Sequence, residues 1–386
     1  MIIEKKDGME MTHTEKETGA GTEVTPPYWH VDPEAMQERS KLRDLLKEAA
    51  ALLRDGRVVA FPTETVYGLG ADARSTSAVE AIFAAKGRPS DNPLIVHISK
   101  EEQLDGLVQE VSAPARKLMD AFWPGPLTVV LPVKPNVLSP RVTAGLGTVG
   151  IRIPDHPVAL ALIEESGCPV AAPSANRSGR PSPTLAGHVL EDLGGSIDGI
   201  VDGGATGVGV ESTVVQVLAD GSIAILRPGG VTLEQLAQAA GVPVQLDPAL
   251  VSETGSEQAP RAPGMKYTHY APKGELSIVT GESPSAVSDW INARLREAAG
   301  RGERTGVLAF DEHAANYQAD CVLSLGSLSD LDTAAHRLYA HLRRMDEENV
   351  GFILSEACPE EGLGAAIMNR LRKAAGQSVI RLGHTE

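Results

Sequence analysis

KGRPSDNPLIVHI, residues 86–98, joins the predicted end of a helix to the start of a buried strand. Lys86 and Arg88 flank a glycine, two prolines stiffen the loop that follows, and Leu94–Ile98 is an apolar run broken only by a histidine. A helix that leads through a short loop into an apolar strand is typical of a sheet covered by helices. The stretch therefore predicts an α/β fold.

The helix before this stretch is predicted from SAVEAIFAAKGR. Ser77 and Glu80 have the spacing of a capping box, and Val79, Ile82 and Phe83 recur on one face, which we expect to be buried. The lysine and arginine of the opening stretch then fall at the helix C-terminus, where the helix dipole favours cations. They could also hold an anionic ligand, and the spacing alone leaves both explanations open.

Strand and helix patterns alternate over residues 41–238. A helix is predicted at KLRDLLKEAAALLRDG, ended by Gly56. The predicted strands are Val58–Phe61, Leu94–Ile98, Leu127–Val133, Val149–Ile153, Val170–Ala172, Gly199–Val201, Thr213–Leu218 and Ile223–Leu226. We expect one α/β domain with a many-stranded sheet here, preceded by a disordered polar tail over residues 1–40.

A second, smaller α/β domain is predicted over residues 275–386. Its strands are predicted at ELSIVTG, TGVLAF, CVLSLG and VGFILSE, between helical segments, as in a small open and mostly parallel sheet. The last helix begins at GLGAA, which is either an ordinary helix start or a phosphate-binding one. Residues 239–274 lack periodicity and are predicted to be a linker, although its end, APGMKYTHYAP, is too aromatic for a plain spacer.

The composition predicts a globular protein with an acidic surface: of 386 residues 42% are hydrophobic and 22% charged, and the formal net charge is −16. That charge repels nucleic acid, so we expect no tight nucleic-acid binding. No apolar run is long enough for a membrane span, and no signal-peptide core is present, so no membrane association is expected. The three cysteines form no CxxC pair and no zinc motif occurs, which is typical of a cytoplasmic protein without a protein-held metal.

A turn after the first predicted strand, FPTETVYGLGADA, carries Thr63, Glu64, Thr65 and Tyr67. Its glycines come late after the strand, so the match to a dinucleotide-binding pattern is weak, and a glycine-rich turn explains them as well.

In GTVGIRIPDHP, Arg152 stands between two isoleucines. It either faces solvent by strand alternation or points inward and needs an anionic partner.

Further polar residues follow the later strands, at positions where α/β sheets bind ligands. PVAAPSANRSGRPSPT carries Ser174, Asn176 and Ser182 but no GxSxG motif or paired base, so we expect Ser174 to contact a ligand rather than act as a nucleophile. ESTVV and LRPGG place Ser212 and Arg227 beside glycines, which permit either close approach to a ligand or hairpin connections. Without a Walker A or kinase motif, a nucleotide site would use scattered Lys, Arg, Ser and Asn side chains.

Taken in order, PTETVYGLGADA, KGRPSDNPLIVHI, WPGPLT, GIRIPDHP, APSANRSG, ESTVV and LRPGG resemble the motifs of the Sua5/YrdC family of threonylcarbamoyl-AMP synthases. The resemblance covers about residues 44–238, and APGMKYTHYAP with the following domain is similar to the longer, two-domain Sua5 type. It implies a YrdC-like twisted α/β sheet domain with a large cavity, over residues 41–238, then a linker or lid and a Rossmann-like Sua5 domain. It also implies a nucleotidyltransferase that condenses L-threonine, bicarbonate (or CO2) and ATP to threonylcarbamoyl-AMP and pyrophosphate, for t6A modification of tRNA.

The resemblance further implies the site residues. A catalytic tetrad would consist of Lys86, Arg88, Ser174 and Asn176. Threonine would be bound by Thr63, Thr65, His97, Arg152 and Ser212. ATP would be bound by Arg88, Asn92, Thr148, Ala172, Ser174, Ser182, Arg227, Tyr267 and Tyr270. Mg2+ would arrive on the ATP phosphates with no protein ligand, and proteins that transfer the threonylcarbamoyl group to tRNA would be downstream partners.

Two other functions are compatible with parts of the sequence. An RNA-binding module would explain a positively charged cavity, but the acidic charge and the aromatic content of 4% speak against it. A carbamoyl-transfer module of the hydrogenase-maturation type would explain a related domain. Such a protein is expected to carry a cysteine-rich zinc region ahead of that domain, whereas the first cysteine here is Cys168.

Overall fold

The computed structural model describes residues 2–6, 9–13, 25–250, 260–263 and 269–383. The chain divides into two compact units. The first contains residues 1–178, 183–207 and 211–266, and the second contains residues 179–182, 208–210 and 267–386. Each unit is a mixed α/β structure, as the sequence predicts.

The first unit is built on a thirteen-stranded sheet. Its strands are β1 (Ile2–Lys6), β2 (Met9–His13), β3 (Tyr28–His30), β4 (Val59–Phe61), β5 (Gly68–Asp72), β6 (Ile95–His97), β7 (Leu127–Pro132), β8 (Thr148–Arg152), β9 (Val170–Ala171), β10 (Gly199–Asp202), β11 (Thr213–Val217), β12 (Ile223–Arg227) and β13 (Val244–Leu246). Their spatial order is β1-β2-β3-β10-β4-β5-β9-β6-β8-β7-β11-β12-β13, with parallel and antiparallel pairs mixed.

Helices cover both faces of this sheet. They are α1 (Pro33–Gln37), α2 (Arg39–Arg54), α3 (Thr76–Lys86), α4 (Ala113–Phe122), α5 (Pro140–Thr143), α6 (Pro157–Ser166), α7 (Ala186–Leu193) and α8 (Leu233–Ala240). Ala60 of β4 packs into one buried cluster with α3 and α4, whereas Val59 and Phe61 pack into another with α2 and α6. Adjacent strand residues point to opposite faces, so this division places the sheet between two apolar layers.

The helix before the opening stretch forms as predicted, but its start differs. Val79, Ile82 and Phe83 are buried, and Gly87 ends α3 in the left-handed conformation with φ 61°. The predicted capping box at Ser77 and Glu80 is wrong. Ser75 caps the helix instead, by accepting a hydrogen bond from the amide of Ala78.

Three segments of the first unit were assigned wrongly from the sequence. The glycine-rich GLGAD is not a turn but strand β5, antiparallel to β4. The disorder predicted for residues 1–40 is wrong for residues 2–6, 9–13 and 25–40, because β1 pairs with β2, β3 pairs with β10, and Trp29 is 2% exposed. The predicted linker begins too early, since β13 pairs with β12 as part of the sheet.

The second unit is an open five-stranded sheet in the order β16-β15-β17-β14-β18. Its elements are β14 (Glu275–Gly281), α9 (Pro284–Gly300), β15 (Thr305–Ala309), β16 (Cys321–Ser324), α10 (Leu331–Glu347), β17 (Phe352–Glu356), α11 (Gly364–Ala374) and β18 (Val379–Leu382). All pairs in this sheet are parallel. The predicted strands and helices are present, and β18 is an additional strand that the sequence did not reveal. Of the helices in the described parts of both units, none combines the length and apolarity that a membrane span requires.

Candidate active site

The paired strands β6 and β8 divide the predicted site residues into two groups. Ile95 stands opposite Gly150, and His97 stands opposite Arg152, in a parallel pair. Asn92 and Thr148, predicted ATP contacts, lie at the first end of this pair, and the predicted threonine ligands His97 and Arg152 lie at the other. At about 3.3 Å per residue, the two ends of so short a strand are on the order of 7 Å apart.

Lys86, Ser174 and Asn176 come together as one cluster. The buried Nζ of Lys86 donates to the carbonyl of Ser174 at 2.5 Å, to the carbonyl of Asn176, and to Asn176 Oδ1 at 3.4 Å. Ser174 Oγ donates to the same Oδ1 at 2.5 Å. The lysine at the end of α3 therefore fixes the turn that follows β9 and holds the Ser174 hydroxyl in place.

Arg88 and Asn92 lie beside that cluster along the chain. The guanidinium of Arg88 donates to the carbonyls of Asn92, at 3.4 Å, and Pro93, at 3.0 Å. Asn92 is 1% exposed, and its Oδ1 has no hydrogen-bond partner among the described residues. A buried polar atom left unpaired is costly, so Asn92 Oδ1 is a candidate ligand contact. Ala172, another predicted ATP contact, donates its amide to the Ile95 carbonyl at the same end of β6.

Arg152 is buried at 3% exposure, which excludes the solvent-facing alternative. Its Nε donates to the carbonyl of Gly125 at 3.1 Å, and its Nη1 donates to Thr65 Oγ1 at 2.9 Å. Its Nη2 lies 2.5 Å from a carboxylate oxygen of Glu64. The anionic partner that an inward-pointing arginine requires thus comes from the PTETVYG turn.

Thr63 and Thr65 form a directed chain of hydrogen bonds that begins at this arginine and ends at the carbonyl of Val66. Thr63 Oγ1 donates to the carbonyl of Val66 at 2.7 Å, so the 2.8 Å contact between the two hydroxyls has Thr65 as its donor. Thr63 Oγ1 also accepts from the amides of Thr65 and Val66. Thr63 therefore shapes the turn, and Thr65 presents its oxygen to Arg152.

His97 is a buried, neutral histidine next to Arg152. Burial, and then the positive charge of Arg152, lower the pKa of His97 to about 3. Its ring packs edge-on against Phe61, with centroids 6.4 Å apart, and its Nδ1 has no hydrogen-bond partner in the described part of the chain. A neutral imidazole can donate from one nitrogen and accept at the other, which suits a hydroxyl ligand.

Ser212 and Arg227 are joined by hydrogen bonds. Arg227 donates to Ser212 Oγ and to the Ser212 carbonyl, both at 3.1 Å, and Ser212 Oγ lies 2.8 Å from Thr128 Oγ1. Arg227 also donates to the carbonyl of Pro263, at 3.4 Å, in the predicted linker. Gly229 permits this packing, since a Cβ there would lie 2.3 Å from the carbonyl oxygen of Glu211.

Ser182, Tyr267 and Tyr270 complete the predicted ATP contacts. Ser182 is fully buried and belongs to the second unit. Tyr270 also belongs to the second unit, where its ring packs on Tyr339 and the guanidinium of Arg370 lies 5.7 Å from its centre. Tyr267 lies outside the described residues. Their assignment to ATP stays a prediction.

Sequence reasoning missed Glu64, Gly125 and Thr128 as members of the site. Glu64 belongs to the motif PTETVYGLGADA, but only its 2.5 Å distance from Arg152 shows that it is part of the site. WPGPLT contained Gly125 and Thr128, but their contacts depend on β7 lying between β8 and β11. Among the described residues, no three His, Cys, Asp or Glu side chains are grouped so that they could hold a metal ion.

Each of the two units is similar to a known protein family. A family model described as "Telomere recombination" (Sua5_yciO_yrdC) matches residues 51–229, and one described as "Threonylcarbamoyl-AMP synthase, C-terminal domain" (Sua5_C) matches residues 231–376. The threonylcarbamoyl-AMP synthase of Bacillus subtilis is 55% identical over 92% of this chain and 99% of its own length. The chain belongs to the Sua5 type of the threonylcarbamoyl-AMP synthase family.

Solved structures of this family have the same fold. The structure of Pyrococcus abyssi Sua5 complexed with L-threonine matches with a TM-score of 0.83 and 46% identity, covering 88% of this chain and 97% of that one. A doubly substituted variant of Pyrococcus abyssi Sua5 matches with a TM-score of 0.85 and 44% identity, covering 94% of this chain and 99% of that one. The family predicted from the ordered motifs is therefore confirmed.

Proposed function

We propose that this protein is a threonylcarbamoyl-AMP synthase, a nucleotidyltransferase that condenses L-threonine, bicarbonate (or CO2) and ATP to threonylcarbamoyl-AMP and pyrophosphate. The observation that carries the proposal is the buried guanidinium of Arg152, held by Gly125 and Thr65. Its Nη2 makes no aligned hydrogen bond to a described residue, so it can receive a carboxylate. The name of the Bacillus relative and the threonine complex of the Pyrococcus relative support threonine as the source of that carboxylate.

The other end of β6 supplies the groups suited to ATP. Lys86 is a cation held against the turn that carries Ser174 and Asn176, and Arg88 is a second cation beside Asn92. A triphosphate needs such charges to offset its own. The unpaired Oδ1 of Asn92 can accept from an amino or hydroxyl group of the nucleotide. Because Lys86 already donates to two carbonyls, we assign it a positioning role in addition to its charge.

The groups at the two ends of β6 together catalyse the reaction by aligning two bound substrates. Threonine bound at Arg152 and His97 becomes a carbamate, and one carbamate oxygen attacks the α-phosphorus of ATP while pyrophosphate leaves. No protein nucleophile is needed, so the contribution of the site is to hold two anions in line and to offset their charge. Thr63 and Thr65 hold Arg152 through their hydrogen bonds, and we assign Ser212, which is held by Arg227, to threonine binding.

Mg2+ would be bound by phosphate oxygens of ATP and would offset charge on the leaving pyrophosphate. Lys86, Arg88 and Arg227 are the residues of this chain that would lie beside the metal-bound phosphates.

We also propose that the reaction takes place in the cytoplasm. The adenylate would pass from there to proteins that transfer the threonylcarbamoyl group to tRNA.

Release of pyrophosphate from ATP tests this function. We expect release to require both L-threonine and bicarbonate, and to stop when either is omitted. Carbamoyl phosphate should not replace them. Release with carbamoyl phosphate in the absence of threonine would instead support a carbamoyl-transfer module of the hydrogenase-maturation type.

A further inference from the structure

We propose that Glu64 binds the α-ammonium group of the amino-acid substrate and accepts a proton from it before the carbamate forms. The inference rests on the function proposed above and adds a catalytic residue to it. It begins from the ion pair between Glu64 and Arg152, whose closest atoms are 2.5 Å apart. The side chains are only 12% and 4% exposed, so the pair is shielded from water.

The pair is close, but it is not well satisfied. Both carboxylate oxygens of Glu64 and Nη2 of Arg152 are buried without a hydrogen bond of acceptable geometry to any described residue. A buried ion pair recovers the cost of desolvation only when its remaining donors and acceptors are also satisfied. This pair therefore has hydrogen-bonding capacity that a ligand can use.

An amino acid carries the complementary charges on groups attached to one carbon. Its carboxylate would accept a hydrogen bond from Nη2 of Arg152, and its ammonium group would donate to the carboxylate of Glu64. One misaligned ion pair is thereby replaced by two hydrogen-bonded ones. Arg152 stays in place during this exchange because Gly125 and Thr65 hold its Nε and Nη1.

The same contact supplies the proton acceptor that carbamate formation requires. An ammonium nitrogen has no free electron pair, so one N–H bond must break first, and its proton passes to the Glu64 carboxylate. The freed pair then forms the N–C bond to CO2, one C–O π pair moves onto oxygen, and a second proton leaves the nitrogen for solvent. A positioned acceptor of this kind typically contributes about 10²–10⁴-fold to the rate.

Neighbouring groups are less suited to this role. His156 lies close to Glu64, but its Nδ1 already accepts from the amide of Val158 at 3.2 Å and caps α6. Burial lowers the pKa of His156 to about 4, although Glu64 opposes the change. Asp155 is exposed to solvent. Glu64 is the carboxylate that contacts the arginine directly.

The test compares Glu64→Gln with the wild-type protein, by calorimetric binding of two ligands. L-threonine carries the ammonium group, and 2,3-dihydroxybutanoate of matching configuration has a hydroxyl in its place. We expect the wild type to prefer threonine at least about tenfold, the scale of one charge-assisted hydrogen bond. Glu64→Gln should lose that preference and form adenylate about 10²-fold more slowly or worse, with unchanged ATP affinity.

Two further variants keep the result interpretable. Glu80→Gln makes the same change on the same unit, at an exposed residue paired with Arg141, and should behave as wild type. Glu64→Asp keeps the charge on a shorter side chain and should recover part of the preference and of the rate, whether or not Glu64→Gln folds fully.

The remaining outcomes distinguish failure of the Glu64 assignment from failure of the proposed function. A Glu64→Gln protein that keeps both the wild-type preference and the wild-type rate would overturn the Glu64 assignment alone. Equal weakening of both ligands would also overturn it, because Glu64 would then act only by holding Arg152. If the wild type itself bound no threonine, the proposed function would fall together with the assignment.

Discussion

Buried charge defines the site at the scale of single residues. Lys86 and Arg152 are 4% and 3% exposed, and each is held by groups from distant parts of the chain. Flanking isoleucines were compatible with either orientation of Arg152, because strand alternation does not say which face is inward. Its partners, Thr65 and Gly125, are far away in sequence, so only the folded chain decides the matter.

Buried His97 and half-buried His156 predict a specific dependence of stability on pH. His97 and His156 have pKa values lowered from about 6.5 to about 3 and about 4 by burial. Below pH 6.5 the unfolded chain binds their protons and the folded chain does not, so the free energy of unfolding falls as pH decreases. The expected slope is at most about 1.4 kcal/mol per pH unit for each histidine.

Urea unfolding between pH 7 and pH 4.5 measures this slope. In His156→Asn the side chain can still cap α6, but it no longer titrates. The variant should therefore lose less stability on acidification than the wild type. Parallel curves for the two proteins would show that His156 is not held neutral in the folded state.

At the scale of elements, close backbone packing positions Ser212. A Cβ on Gly229 would lie 2.3 Å from the carbonyl oxygen of Glu211 and 2.4 Å from the amide nitrogen of Thr213. Gly229→Ala must therefore displace the start of β11. We expect a loss of about 1–3 kcal/mol in the free energy of unfolding, as for other overpacked sites, and weaker threonine binding.

Gly187→Ala is the matched control for that prediction. Gly187 lies within α7, and a Cβ there would meet nothing within 4 Å. The same substitution should stabilise the protein by up to about 1 kcal/mol and leave threonine binding unchanged. Equal behaviour of the two variants in urea unfolding would contradict the packing argument.

Strand β5 illustrates what the sequence could and could not reveal about elements. GLGAD has the glycines of a turn, yet a Cβ on Gly70 would lie 2.7 Å from the ring of Phe61. The glycines are therefore explained by tight packing within the sheet, which no local pattern records. Apolar runs such as Leu127–Pro132 were predictable because their hydrophobicity itself decides their burial.

At the scale of the whole molecule, strand and helix alternation was enough to predict two α/β units. The division itself was not predictable, because residues 179–182 and 208–210 cluster with the second unit rather than with their sequence neighbours. Contacts distant in sequence decide such a boundary. The segment around Trp29 was missed for the same reason, since its order depends on β10.

The net charge of −16 predicts weak interaction with bare tRNA. Non-specific binding depends on cations that replace the counterions of the phosphates. A gel-shift titration with unmodified tRNA in about 150 mM salt should give no complex below about 1 µM protein. A tight complex under these conditions would favour an RNA-binding module.

The proposed reaction joins threonine, a one-carbon unit and AMP in one product. Mass spectrometry of the product formed from ATP, L-threonine and ¹³C-labelled bicarbonate measures this directly. We expect threonylcarbamoyl-AMP that carries the label, in the complete mixture only, and a yield about 10²-fold lower from Lys86→Ala. A folded wild-type protein that yields no labelled adenylate from the complete mixture would contradict it.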